Sequence, residues 1–201
     1  MPHNSKVYVI DDDQAALDAL KLLLTIEGYA VRTHQSAKPF LETIQQDNNG
    51  CVVTDVRMPE INGLDLLAMM KERRVSMPVI VITAHANIPL AVAAMKRGAV
   101  DFFKKPFDGG ALLASIRATL TRGDGEPASD AEIQMLQETF ASLSKREKEV
   151  LARLLKGQPN KNIAHELGLS VRTVEVHRAK VMAKTQATSL AELVQMALVA
   201  L

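Results

Sequence analysis

Short apolar runs at residues 7–10, 30–33, 51–54, 79–83 and 100–103 punctuate the first 122 residues. They are rich in β-branched residues and too short for helices, as strands buried on both faces of a sheet are. Between them, apolar residues recur at helical spacing, as at Leu17, Leu20 and Leu24, and again at Leu64, Leu67 and Met70. Five strand–helix units predict an α/β domain over residues 1–122, with a five-stranded, doubly wound parallel sheet.

The pattern changes at Arg122. Gly123, Gly125 and Pro127 mark a boundary. Ser129 followed by Glu132 is a capping box, so the segment 123–140 becomes helical towards Phe140. Residues 141–201 read entirely as helix. Ser144 with Glu147 opens a helix running to Lys156, and Gly157 ends it. Asn160 caps a short helix to Leu167, Gly168 turns the chain, and Ser170 caps a helix over residues 171–184. Ser189 with Glu192 opens the last helix. The chain thus divides into an α/β part (1–122), a partly helical linker (123–140) and an all-α part (141–201).

Charge sharpens this division. Of 201 residues, 47% are hydrophobic and 23% charged, an ordinary globular mix. The net charge of +1 hides an asymmetry. Residues 1–122 carry 14 Lys and Arg against 13 acids; the linker has five acids and no base; residues 141–201 carry 10 bases against 5 acids. A basic helical domain points to a polyanionic partner. No apolar stretch approaches the ~20 residues of a membrane span, so no membrane role is expected. The polar residues 1–5 lack a signal peptide's apolar core, and the single Cys51 cannot form an internal disulfide, which together predict a cytoplasmic protein.

Candidate chemistry falls at the predicted strand ends. Asp11, Asp12 and Asp13 follow the first strand, Asp55 the third and Lys105 the fifth, while Thr83 ends the fourth. A parallel sheet gathers these ends on one edge. Clustered carboxylates repel unless a cation neutralises them, and their oxygens suit Mg²⁺. Asp55 would be a nucleophile towards phosphorus, with Lys105 and the metal offsetting charge on the phosphoryl group. The Thr83 hydroxyl could then bond a phosphoryl oxygen and act as a switch. Asp13 reads as a helix cap.

Val-Ile-Asp-Asp-Asp at 9–13, Asp55-Val-Arg-Met-Pro-Glu-Ile-Asn-Gly63, Val-Ile-Thr83-Ala-His and Lys105-Pro106-Phe107 resemble a response-regulator receiver, a CheY-like fold. The resemblance implies that Asp11, Asp12, Asp55 and the Arg57 backbone carbonyl hold Mg²⁺. It also implies that Asp55 accepts phosphate, Lys105 contacts it and Thr83 is the switch. Phe102 stands where receivers often carry a rotating aromatic, with an ordinary core aromatic as the alternative. Arg57 and His85 occupy positions that in receivers tune phosphate lifetime.

In the helix over 171–184, Val174 and Val181 face a core, while Arg172, Glu175, Val176, Ala179 and Ala183 share the other side. A small-residue centre with basic flanks suits the major groove. Leu143-Ser-Lys-Arg-Glu147 and Ser170-Val-Arg-Thr-Val-Glu-Val-His-Arg178 resemble a LuxR-type helix-turn-helix. The resemblance implies a scaffold helix from Asn160 to Leu167, a recognition helix from Val171, and DNA contacts from Lys161, Arg172, Thr173, Glu175, Val176, Arg178, Ala179, Lys180 and Lys184. It makes His177 a structural residue. Thr185 stands where that family has a bulkier apolar residue, which would loosen packing there.

Residues 29–41, beginning Tyr29-Ala-Val-Arg-Thr-His, and the 171–184 helix are similar to the NarL/FixJ family of two-component response regulators. That likeness implies a DNA-binding transcriptional regulator, not an enzyme beyond its own phosphoryl transfer and dephosphorylation. It implies as partners a FixL-like histidine kinase, a double-stranded promoter site and RNA polymerase. A homodimer would form on phosphorylation, and activation by release from inhibition stands as another route. The genes implied are microaerobic or nitrogen-fixation genes, with a different sensor kinase and regulon as the alternative. A further alternative is an aspartate-nucleophile phosphatase, although those enzymes place the nucleophile early in the chain.

Overall fold

The computed structural model describes residues 5–44, 50–121 and 129–201. The predicted boundary at Gly123, Gly125 and Pro127 lies outside the described residues. By contact the chain forms two compact units, residues 1–86 with 97–126, and residues 87–96 with 127–201. The elements in order are β1 (Lys6–Ile10), α1 (Gln14–Ile26), β2 (Ala30–His34), α2 (Ala37–Thr43), β3 (Cys51–Asp55), α3 (Gly63–Glu72), β4 (Val79–Thr83), α4 (Ile88–Lys96), β5 (Ala99–Lys104) and α5 (Gly109–Thr121). They continue as α6 (Asp130–Ala141), α7 (Lys145–Leu154), α8 (Asn160–Leu167), α9 (Val171–Thr185) and α10 (Leu190–Ala200).

The strands form one parallel sheet in the order β2-β1-β3-β4-β5. The order reverses between β1 and β3, the topological switch point where α/β sheets place their ligands. Val7, Val9, Cys51, Val53, Ile80 and Ile82 form a core with Leu17, Leu20 and Leu24 of α1 and Leu112 and Ile116 of α5. Elsewhere Tyr8 meets Phe40 of α2 edge-on, ring centroids 5.5 Å apart. Burial on both faces, expected of all five strands, describes only β1, β3 and β4. β2 has no buried residue and β5 only Ala99, because these two are the edges of the sheet.

The end of α3 departs from the usual chemistry. Val75 N–H bonds to Met70 C=O at 3.0 Å and Arg74 N–H to Lys71 C=O at 3.1 Å, a Schellman closure that commonly has glycine at its left-handed residue. Here that residue is Arg74, at φ 56°.

In the C-terminal unit, α6 opens with the predicted capping box of Ser129 and Glu132. Phe140 near its end joins a core with Leu143, Leu151, Val181, Leu193 and Ala197. A second cluster joins Val150 and Leu154 of α7, Ile163 and Ala164 of α8 and Val174 of α9. α7 stops at Leu154 rather than Lys156, because Gly157 at φ 76° turns the chain and its N–H returns to Leu154 C=O. Asn160 does not cap α8. Pro159 takes the cap position and Asn160 is the first helical residue, its side-chain oxygen accepting instead from Arg178 Nη1 at 3.0 Å. The looser packing expected at Thr185 is not what forms. Thr185 is buried, its hydroxyl donates to Val181 C=O at 2.9 Å, and the chain leaves the helix through Gln186 at φ 59°.

One polar tie crosses this unit. Glu147, in the first turn of α7, is buried, and its carboxylate accepts from Ser144 N–H at 2.8 Å and Lys184 Nζ at 2.7 Å. The Lys184 ammonium, with the Ser144 N–H, pulls the Glu147 carboxyl down to about 2. A carboxyl with a depressed folded pKa stabilises the fold at pH above its ordinary value of 4.5, and loses that contribution as pH falls towards 2.

Two tests of stability follow. Replacing Arg74 by glycine should raise the urea midpoint of the α/β unit by the equivalent of about 0.5–1 kcal/mol, the left-handed cost of a Cβ less glycine's entropy; an unchanged or lower midpoint would show that Arg74 is unstrained there. For the C-terminal unit, Glu147→Gln should lower the urea midpoint at pH 6 and flatten its fall between pH 4.5 and 2. A variant with the same pH profile as the parent would show that the tie does not contribute.

Candidate functional site

The α/β unit brings the predicted acidic residues together. Asp55 ends β3 opposite Ile82, and Thr83 ends β4 opposite Lys104, so these strand ends share one edge. Asp11 directly follows β1 and is fully buried, whereas Asp12 beside it is exposed. Asp13 is the cap of α1, accepting from Ala15 N–H at 2.9 Å. Lys105 follows β5 and its Nζ lies 2.5 Å from Asp11 Oδ2 and 3.0 Å from Asp55 Oδ2. The other Asp55 oxygen accepts from Val56 N–H at 2.5 Å and Arg57 N–H at 3.3 Å. Asp55 is therefore held in one orientation by bonds to both of its oxygens.

The electrostatics are those of a site short of positive charge. Burial pushes the Asp11 carboxyl up, and the Lys105 ammonium only partly opposes it. Burial also works against the Lys105 charge, but its bonds to Asp11 and Asp55 prevail and hold its pKa above the ordinary value. Asp11, Asp12 and Asp55 can present oxygens within 4.8 Å of one another. Three carboxylates and one ammonium leave net negative charge around hard oxygen donors, a set that fits a divalent cation.

Thr83 is fully buried, and its hydroxyl accepts from His85 N–H at 3.2 Å. Its carbonyl accepts from Lys105 N–H at 2.8 Å, so the β4 and β5 ends are coupled through the main chain. Phe102 is half-buried on β5, and Phe103 beside it packs on the core. The Arg57 side chain is exposed. Gly63 also shapes the site. A Cβ there would lie 2.2 Å from the Asp55 carbonyl oxygen, and the Gly63 N–H bonds to Val56 C=O at 2.9 Å. The loop from Asp55 can return this closely only with glycine. Its place at the end of the receiver-like run that begins at Asp55 was the sequence signal for it.

The C-terminal unit exposes a second surface. Arg172, Glu175, Val176, Ala179, Lys180, Ala183 and Lys184 are exposed on α9, and Lys161 is exposed on α8. Thr173 is half-buried, its hydroxyl 2.8 Å from that of Ser170. Not all the expected cations are free. Arg178 is half-buried against Asn160, and burial lowers its pKa although Glu175 opposes the shift. Lys184 is engaged by Glu147, and Arg172 pairs with Glu175 at 3.7 Å. His177 is half-buried, its Nδ1 enclosed by the unit. Asn160 and Glu147, which position two of these cations, were read from sequence only as caps.

Comparison with known proteins places both parts of the chain in families. Residues 7–117 match the response regulator receiver domain family, and residues 141–197 match the luxR family of bacterial regulatory proteins. The transcriptional regulatory protein FixJ of Azorhizobium caulinodans is 49% identical over 100% of this chain and 95% of its own length. The response regulator protein TodT of Pseudomonas putida is 43% identical over 95% of this chain and 84% of its own. Among solved structures, full-length FixJ from B. japonicum aligns with a TM-score of 0.56 at 43% identity, covering 97% of this chain and 96% of that one. The response regulator StyR aligns with a TM-score of 0.57 at 40% identity, covering 96% and 98%. With a receiver sheet whose carboxyl edge gathers three aspartates and a lysine, a luxR-type helical domain behind it in the chain, and these relatives along its full length, the chain belongs to the NarL/FixJ family of two-component response regulators.

Proposed function

We propose that this chain is a transcriptional regulator, in the main an activator, whose DNA binding is controlled by Mg²⁺-dependent phosphorylation of Asp55. Its receiver would span residues 1–122, an acidic, partly helical linker 123–140 and the DNA-binding domain 141–201. The observation that carries the reading is Lys105 bridging Asp11 and Asp55 at 2.5 and 3.0 Å, beside a third carboxylate. The two family matches favour it over the phosphatase alternative.

An Asp55 oxygen attacks the phosphorus of a phosphohistidine on a partner kinase. The new O–P bond forms as the P–N bond breaks, and the imidazole leaves, taking a proton from solvent. Val56 and Arg57 N–H groups keep the attacking carboxylate oriented. Lys105, kept protonated by its two aspartates, offsets charge on the arriving phosphoryl oxygens. Asp11, Asp12, Asp55 and the Arg57 carbonyl would hold Mg²⁺, which neutralises carboxylate and phosphoryl charge when bound. Thr83 gives up the His85 N–H and turns its hydroxyl to a phosphoryl oxygen. That turn reorganises the face around residues 88–103, with Phe102 following.

The reorganised face pairs with its copy in a homodimer, and release of the DNA-binding domain from inhibition is a parallel route. The dimer binds a double-stranded promoter site through α9 and recruits RNA polymerase. Lys161, Arg172, Thr173, Arg178, Lys180 and Lys184 would contact the backbone, and Glu175, Val176 and Ala179 the base edges. The kinase is read as FixL-like, with microaerobic or nitrogen-fixation genes as output. The support for that choice is the 49% identity to one FixJ; two other FixJ proteins, at 44% and 43%, stand level with TodT at 43%.

Incubation with acetyl phosphate should add one phosphoryl mass to the full chain with Mg²⁺, and none after chelation. Asp55→Asn should add none, and Lys105→Ala should slow the step by roughly 100-fold. Phosphorylated chain should bind duplex promoter DNA with an affinity that falls steeply with salt. Normal phosphate uptake by Asp55→Asn would sink the reading.

A further inference from the structure

The helix α9 is basic with one exception. Arg172, Arg178, Lys180 and Lys184 are its bases, and Glu175 is the only acid in the helix. The Glu175 side chain is 49% exposed and lies 3.7 Å from that of Arg172, which is 86% exposed. A pair so open to water contributes little to stability. Its order along the helix, base before acid, is also the less favourable one for the helix dipole, and Arg172 occupies a first turn that has no acid. The pair with Arg172 therefore does not explain Glu175.

Duplex binding makes its cost larger. A carboxylate carried against the duplex is repelled by phosphates, so at a contact position it lowers affinity for every sequence unless a base edge gives it a donor. The major groove offers two donors, the cytosine N4 amino and the adenine N6 amino. Beside N6, adenine presents the N7 acceptor, which repels a second carboxylate oxygen. Guanine shows only acceptors there, and thymine an acceptor and a methyl. Cytosine alone rewards a carboxylate. The position suits such a contact, because Glu175 lies in the N-terminal half of α9, the part of such a helix that reaches base edges. Arg178, one turn on, is tied back to Asn160 and feels the Glu175 charge through space, an attraction that only partly offsets its own burial.

We propose that Glu175 is a specificity-determining residue that reads one cytosine in each half of the duplex site. This rests on the duplex-binding reading above. Arg172 holds the carboxylate until the base replaces it, and is then released to a phosphate.

The test uses the full-length chain with acetyl phosphate and Mg²⁺, and selection from a randomised duplex library. The parent should select cytosine at one position per half-site, with about fivefold or greater preference over any other base. Glu175→Gln should select adenine at that same position, since an amide can pair with N6 and N7 together. Glu175→Ala should lose preference there and keep it elsewhere. Both variants should bind an unrelated duplex more tightly than the parent. Unchanged selection by both variants would overturn the inference and leave duplex binding standing; a parent that retains no duplex would overturn both.

Discussion

The α/β unit is organised around a charge that its own fold forces together. Parallel strands end on one side, so Asp11, Asp55 and Lys105 arrive within bonding distance although 50 and 94 residues separate Lys105 from its two partners. One ammonium cannot balance three carboxylates, and burial raises the Asp11 pKa further than the Lys105 ammonium can pull it back. The apolar strands β1, β3 and β4 supply the burial that holds such an arrangement in place. Everything proposed for this edge starts from the missing positive charge: the affinity for a divalent cation, and the poise of Asp55 towards an electrophilic phosphorus.

The C-terminal unit solves a different problem with similar means. α9 must leave one face free for a partner while staying fixed in direction. Val174 and Val181 bury one side. Polar ties supplement them, Arg178 to Asn160 of α8 and Lys184 to Glu147 of α7. Two cations that a charge count assigns to a phosphate backbone are thus already spoken for within the unit. What these two bonds do within the unit is hold α9 against α8 and α7.

Much of this was legible in the chain, for physical reasons. Central strands of a parallel sheet must be apolar on both faces, so they stood out as runs, and capping boxes at Ser129 and Ser144 are local patterns that local chemistry enforces. Strand-end position was enough to gather Asp11, Asp55, Thr83 and Lys105. What escaped depends on neighbours distant in sequence. The exposure of β2 and β5 follows from strand order, which periodicity does not encode. The diversion of Asn160 from capping to Arg178, and of Lys184 to Glu147, required knowing which helices lie side by side. Arg74 adopts a glycine conformation at a closure whose flanking residues, Met70 and Val75, are both buried and joined by a main-chain hydrogen bond.

The tie between Glu147 and Lys184 has a consequence for how such a sequence can drift. A buried carboxylate tolerates the loss of its cation poorly, and an ammonium left beside an apolar replacement gains nothing. The two codons, 37 positions apart, are therefore constrained as one unit of inheritance: either residue can be exchanged only if the other changes with it. Since the first belongs to α7 and the second to α9, the other exposed positions of α9 can be exchanged singly, whereas this pair can change only together.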